Sequence, residues 1–236
     1  MKKLYSLPNC ITCCNLLCGA VACYFAFQAS YGLAFLFIVA GAIFDFFDGF
    51  AARLINQSSP IGKELDSLAD IITFGLAPSA AVFSLLQQQC ATISSPAAPY
   101  LPFAALLMAA FSALRLAKFN LEERQTMGFI GLPTPANALF WISLVYCFGP
   151  SIPQTLTSVA VLIIGVVVAG FLLVGEVPMF ALKFKNFGWS DNATRYLFIA
   201  ASAVMLCVFR EAAFCYIIPL YILISVGLTV FAKQQS

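Results

Sequence analysis

An all-α bundle of about eight membrane-spanning helices is the fold predicted for this chain of 236 residues, and three observations predict it. Apolar residues make up 62 % of the chain and charged ones 9 %, where soluble domains carry about 25 % charged residues. The mean hydropathy is +0.95. Apolar runs long enough for a ~30 Å hydrocarbon core recur from end to end, separated by short polar connections.

The first run, about 9–29, follows Lys2, Lys3 and the segment Leu7-Pro8-Asn9. It lacks a small-residue cleavage site, so it is expected to stay attached as a helix rather than leave as a signal peptide. Its cysteines, Cys10, Cys13, Cys14 and Cys18, lie three to four residues apart on one apolar helix. A zinc site draws ligands from more than one segment, so these cysteines are expected to pack as small hydrophobes. Cys23, Cys90, Cys147, Cys207 and Cys215 fall in or beside apolar runs, so no disulfide framework is expected.

The second and third runs, about 31–53 and 63–86, carry most of the acidic residues of the first half of the chain. A loop with the linker-like stretch Ser94-Ser95-Pro96-Ala97-Ala98-Pro99 precedes the fourth run, about 100–119. The remaining runs lie near 135–149, 155–175, 194–208 and 212–232, the first and third of these four being short for a full crossing. No internal repeat and no separable soluble segment is visible. Residues 1–236 therefore read as a single membrane domain.

Charge sets the expected orientation. Of the 12 Lys and Arg residues, Lys2, Lys3, Arg53, Lys63, Arg115, Lys118, Arg124, Lys183, Lys185, Arg195 and Lys233 fall on one side of this arrangement, and only Arg210 falls on the other. By the positive-inside rule both termini, and any site opening between the second and third runs, are expected to face the cytoplasm. A net charge of +2 with no basic run excludes a nucleic-acid partner.

The chemistry concentrates between Asp45 and Asp70, in Asp45-Phe-Phe-Asp48-Gly49-Phe-Ala-Ala52-Arg53 followed after eight residues by Gly62-Lys-Glu-Leu-Asp66-Ser-Leu-Ala-Asp70. Asp45 and Asp48 stand at i, i+3, and Gly62, Asp66 and Asp70 step by four, so each helix presents its acids on one face. An aspartate near the middle of a membrane helix costs roughly 2.5–3.5 kcal/mol. Four uncompensated ones would cost on the order of 10 kcal/mol, which rivals the stability of a whole fold. Arg53 and Lys63 cannot neutralise all four. Carboxylates without histidine form a hard-oxygen donor set, suited to Mg²⁺, Mn²⁺ or Ca²⁺, and a pair of such ions can clamp a phosphoryl group. Small residues beside the acids would leave room for a ligand.

The pattern D-x2-D-G-x2-A-R-x8-G-x3-D-x3-D resembles the signature of the CDP-alcohol phosphotransferases, integral membrane enzymes that move a phosphatidyl or related group from a CDP-linked donor to an alcohol. The resemblance implies that Asp45, Asp48, Asp66 and Asp70 surround two divalent cations, with Asp70 also the base that takes the acceptor's hydroxyl proton. It implies that Arg53 grips the donor diphosphate, for which a guanidinium fork is suited, and that Gly49, Ala52 and Gly62 make space for the nucleotide. Asn9, Thr12 and Asn15, at the start of the first helix, are further candidates for touching the nucleotide. A homodimer is implied by the same likeness.

Four further stretches, over roughly residues 5–140, are similar to the phosphatidylserine synthase branch of that family: Leu7-Pro8-Asn9 with Asn15-Leu16-Leu17-Cys18-Gly19, then Phe74-Gly75-Leu76-Ala77-Pro78, Arg115-Leu-Ala-Lys118-Phe-Asn120 and Gly131-Leu132-Pro133-Thr134-Pro135. The implied reaction joins CDP-diacylglycerol and L-serine to give phosphatidylserine and CMP, with Arg115, Lys118 and Asn120 binding the acceptor. Lys118 stands where that branch would carry Arg, which keeps the charge but loses the fork. Anchoring of a helix end at lipid headgroups is the competing role for Arg115 and Lys118. The chain has no histidine, so a phosphohistidine intermediate is excluded. A phosphorylated acceptor such as glycerol 3-phosphate, or an inositol compound, would call for an extra basic cluster that the later runs lack. A cation transporter would place its acids near the midplane in broken or repeated segments.

Overall fold

The computed structural model describes residues 6–55, 59–121, 129–180 and 188–234. They form nine α-helices: α1 (Leu7–Phe27), α2 (Tyr31–Leu54), α3 (Pro60–Asp70), α4 (Ala77–Cys90), α5 (Leu107–Leu121), α6 (Thr134–Phe148), α7 (Leu156–Val174), α8 (Trp189–Phe209) and α9 (Phe214–Gln234). Among the described residues, six segments are long and apolar enough to cross a membrane: Leu7–Phe27, Tyr31–Leu54, Pro60–Cys90, Leu101–Leu121, Leu156–Val174 and Asn192–Thr229. The all-α polytopic class is therefore observed, with six such spans where the sequence reading has about eight. Helix α6 has 15 residues, or about 22 Å at 1.5 Å per residue, and α8 to α9 reads as one long apolar segment.

Local chemistry sets the helix starts. Ser6, Ser59 and Thr155 each accept a hydrogen bond from the backbone N–H three residues on, satisfying a donor that the helix leaves open. Proline follows within the first two positions of α1 and α3, where its missing N–H costs nothing. Between α3 and α4 the chain does not break but widens into a π-helical turn, Ile71–Leu76. Pro78 has no N–H for the carbonyl of Phe74, and the wider turn accommodates that missing bond.

That turn carries the tightest helix contact of the site region. Thr73 is fully buried and its Oγ1 donates to the Asn15 carbonyl at 3.0 Å. A Cβ at Gly19 would meet the Thr73 backbone nitrogen at 2.8 Å, and one at Gly41 would meet Asn15 Oδ1 at 3.0 Å. Two glycines therefore let α1, α2 and the π turn approach to backbone distance. Gly19→Ala is expected to lower stability by roughly 1–3 kcal/mol through overpacking, read as a lower thermal midpoint in detergent. An unchanged midpoint would show that the contact is slack.

The buried core has two parts. Ile38, Phe74, Leu85, Met108 and Ile142 belong to the larger one, built around α4 and α6. Leu132, Leu173, Met179, Phe198 and Tyr221 belong to the smaller, around α9. Outside these, apolar side chains face outward; Val161, Ile164, Val168 and Phe171 form an exposed stripe on α7. Such a face is at home against lipid.

Cys10, Cys13 and Cys14 are exposed rather than packed inside, which corrects the expectation for them. In an apolar solvent a small apolar thiol has no reason to turn inward. All nine cysteines are free, as expected. Gly131, at φ +79°, opens the turn before α6, and Phe129–Ile130 (β1) pairs antiparallel with Pro178–Met179 (β2) across it. A side chain at Gly131 would run into the Leu173 carbonyl.

Candidate functional site

Helices α1, α2 and α3 converge on the four aspartates. Asp45, Asp48 and Asp66 each place one carboxylate oxygen so that all three atoms lie within 4.8 Å of one another. The i, i+3 spacing on α2 sets the first two on one face, and α3 brings Asp66 against it. Asp70, one turn further along α3, faces Asp45 and Asp66 and accepts a hydrogen bond from Asn15 Nδ2 at 3.2 Å. Asp48 and Asp70 are 6 % and 8 % exposed, so these acids are inside the bundle and not on its lipid surface.

Their oxygens are incompletely satisfied. Asp48 Oδ2 and Asp66 Oδ1 are buried and have no hydrogen-bond partner among the described residues. Buried carboxylate oxygens without donors are costly, and a divalent cation with oxygen preference is the partner that would satisfy several at once. Donor type, spacing and the orphaned oxygens all fit such an ion.

Beside the acids lies a cavity of about 220 Å³. Asn9 and Thr12 line it from α1, Asp48, Gly49 and Ala52 from α2, and Gly62, Lys63 and Asp66 from α3. Five of the seven residues expected to contact the donor nucleotide thus share one cavity with two of the acids. Gly49 has nothing within 4 Å of where a Cβ would stand, so its missing side chain leaves open space. At Gly62 a Cβ would sit 3.1 Å from Asn9 Oδ1, and the missing side chain instead allows close packing of α3 on α1.

Arg53 does not line this cavity. It is exposed, and its Nε donates to the Gly49 carbonyl at 3.0 Å, one turn back on its own helix. A long side chain at the end of α2 is free to adopt this internal bond when no anion is near.

The three residues expected at the acceptor part company. Arg115 is 7 % exposed, with its guanidinium carbon 4.9 Å from the centroid of the Phe119 ring and Asp70 and Tyr221 facing it. That burial is not the position of a headgroup anchor. Lys118 turns to α7, where Nζ donates to the Val174 carbonyl at 3.2 Å and lies 3.5 Å from Glu176 Oε1. A cation at the end of α7 meets the carbonyls that the helix leaves open. Asn120 Nδ2 donates to Ser67 Oγ at 2.8 Å, and its carbonyl accepts from Lys63 Nζ at 2.8 Å, clasping α5 to α3.

Asn15, also expected at the nucleotide, does not line the cavity beside the acids and instead donates to Asp70, 55 residues away in sequence. One residue here escapes the sequence reading. Lys63 gave the signal of a charge near a membrane face, which does not distinguish a cavity wall from a surface position.

A family model for CDP-alcohol phosphatidyltransferase matches residues 5–172. The chain is 38 % identical over 148 residues to the CDP-diacylglycerol–serine O-phosphatidyltransferase of Bacillus subtilis, covering 61 % of this chain and 77 % of that one. It is 30 % identical over 207 residues to the enzyme of that name from Methanocaldococcus jannaschii, covering 88 % and 84 %. A third relative so named, from Helicobacter pylori, is 33 % identical over 147 residues, and the match spans 59 % of its length.

Proposed function

From the premise that this chain belongs to the CDP-alcohol phosphatidyltransferase family, we propose that it transfers the phosphatidyl group of CDP-diacylglycerol to L-serine, giving phosphatidylserine and CMP. The observation that carries this reading is the meeting of acids from α2 and α3 beside a polar cavity, with a buried Arg115 facing the last of those acids. The names of the relatives support serine as the acceptor.

Asn9, Thr12, Gly49, Ala52 and Gly62 shape the cavity that receives the cytidine diphosphate. Arg53, whose bond to Gly49 is exposed and easily exchanged, swings to the diphosphate when the donor binds. Asp45, Asp48, Asp66 and Asp70 would hold two divalent cations, Mg²⁺, Mn²⁺ or Ca²⁺, whose chemistry would be charge neutralisation at the donor diphosphate.

Arg115 binds the serine carboxylate, which places the serine hydroxyl at Asp70. Asp70, held at one oxygen by Asn15, accepts the hydroxyl proton as the serine oxygen attacks the phosphorus that carries diacylglycerol. The new bond is serine oxygen to phosphorus. The bond that breaks joins that phosphorus to the oxygen of CMP, which leaves with its electron pair.

Lys118 and Asn120 support the acceptor side by fixing the end of α5 to α7 and α3. Arg115→Leu is expected to raise the KM for serine at least tenfold, while Lys118→Met stays within about threefold, because Arg115 is buried and interacts electrostatically with Asp70 and Lys118 is held at the end of α7. Equal effects of both would remove Arg115 from the acceptor site.

The bias of basic residues supports a cytoplasmic position for both termini and the cavity. Of these residues, Lys2, Lys3, Arg124, Lys183 and Lys185 and the side chain of Lys233 lie outside the described residues. A homodimer completes the reading. The deciding measurement is CMP release by purified protein given CDP-diacylglycerol, a divalent cation and a panel of alcohols. Release with serine is expected; release only with glycerol 3-phosphate or an inositol compound would move the acceptor, and ion flux without CMP would overturn the reading.

A further inference from the structure

Lys63 stands in the wall of the cavity beside the acids and has no part in the donor contacts assigned above. It precedes Asp66 by three residues on α3, so the two side chains share a helix face. Asp48 and Asp66 carry the negative charge of that wall, and Lys63 is the cation among its lining residues. Lys63 is exposed, and its Nζ donates to the Asn120 carbonyl at 2.8 Å. That carbonyl lies in the last turn of α5, where the helix leaves it open. No carboxylate stands within ion-pair distance of Nζ among the described residues.

This ammonium has more to offer than a cap on α5 uses. A lysine head carries three N–H donors that rotate about its stem, and the Asn120 carbonyl takes one of them. The carbonyl is neutral, so the charge of Lys63 stays uncompensated beside a cavity already lined by acids. The charges of the donor-bound site point the same way. Two divalent cations would match the four aspartates, charge for charge. The donor then adds a diphosphate, in which each phosphate carries a negative charge, and Arg53 brings one positive charge against it. A site shielded from water favours neutrality, and Lys63 is where the cavity wall supplies the missing cation.

We propose that Lys63 is a second protein ligand of the donor diphosphate, with Nζ donating to a phosphate oxygen while it keeps its bond to the Asn120 carbonyl. The assignment rests on the phosphatidyl transfer proposed above and adds a residue to its donor side. The same ammonium then joins the donor to α5, the helix that carries Arg115, so one side chain holds the two substrate sites in register.

The test is calorimetric titration of the full chain, in mild detergent with a divalent cation, using CDP as the soluble probe. Lys63→Gln removes the charge and keeps an N–H donor for the Asn120 carbonyl. It is expected to weaken CDP binding roughly tenfold or more, the scale of a charge-assisted hydrogen bond. Ser67→Ala breaks the Asn120 side-chain bond that clasps α5 to α3 but leaves the ammonium in place, and is expected to bind CDP within about twofold of the unsubstituted chain. Equal CDP affinity of Lys63→Gln and the unsubstituted chain would overturn the proposal. So would an equal loss in Ser67→Ala, which would assign the effect to the clasp. CMP release separates this residue from the reaction as a whole. Turnover by the unsubstituted chain with the same KM for CDP-diacylglycerol in Lys63→Gln removes Lys63 alone, whereas no CMP release with any alcohol removes the reaction and leaves the CDP titration to judge Lys63.

Discussion

Asp66→Asn is expected to lower the turnover of CMP release by at least about 10²–10³-fold, the scale lost when one preorganised electrostatic partner of a charged transition state is removed. Asp66 contributes one of the three oxygens gathered within 4.8 Å, and its Oδ1 is buried without a donor. An amide has one oxygen in place of two and carries no charge, so the donor set for a hard cation is broken. The fold should survive, since the substitution removes a buried negative charge from a membrane helix. The thermal midpoint measured in chelator is therefore expected to be unchanged or higher. Adding Mg²⁺ or Mn²⁺ should raise the midpoint of the unsubstituted chain through binding to the folded state alone, and should not raise that of the variant. Turnover near that of the unsubstituted chain would remove the acid cluster from the chemistry.

Asp70→Asn tests a different function of the same cluster. General-base catalysis contributes roughly 10²–10⁴-fold, and a drop of that size is expected in kcat with little change in the KM for serine, because Arg115 remains to hold the acceptor. Asp70 differs from the other three in its surroundings. It receives the Asn15 amide and interacts electrostatically with the buried Arg115, the residue proposed to hold the acceptor. An equal loss in Asp66→Asn and Asp70→Asn, each accompanied by loss of the metal-dependent midpoint shift, would assign Asp70 to metal binding alone. A retained midpoint shift with lost turnover would assign it the proton transfer.

The separation of Arg115 from Lys118 shows where sequence spacing stops being informative. The two are three residues apart on α5, close enough to share a task at a helix face. Yet Arg115 is buried against Phe119 and Lys118 reaches the carbonyl end of α7. Three residues turn an α-helix through about 300°, and different neighbours stand at the two positions. Arg53 shows the same limit from the other side: the motif places it one residue from Ala52, which lines the cavity, while its own side chain folds back on Gly49.

What the amino-acid order determined by itself is the solvent the protein lives in, the helical class and the two faces that carry the acids. Each of these follows from periodicity and composition within one segment: 62 % apolar residues demand lipid or a very large core, and spacings of three and four residues select a helix face. Tertiary structure alone decided which faces meet. The bond from Asn15 to Asp70 and the approach of Thr73 to Gly19 and Gly41 depend on side chains from different elements, or on the lack of one, across tens of residues. Such contacts depend on how helices pack against one another, through glycine clefts and a π turn, and no local pattern in the chain encodes the distance between two helices.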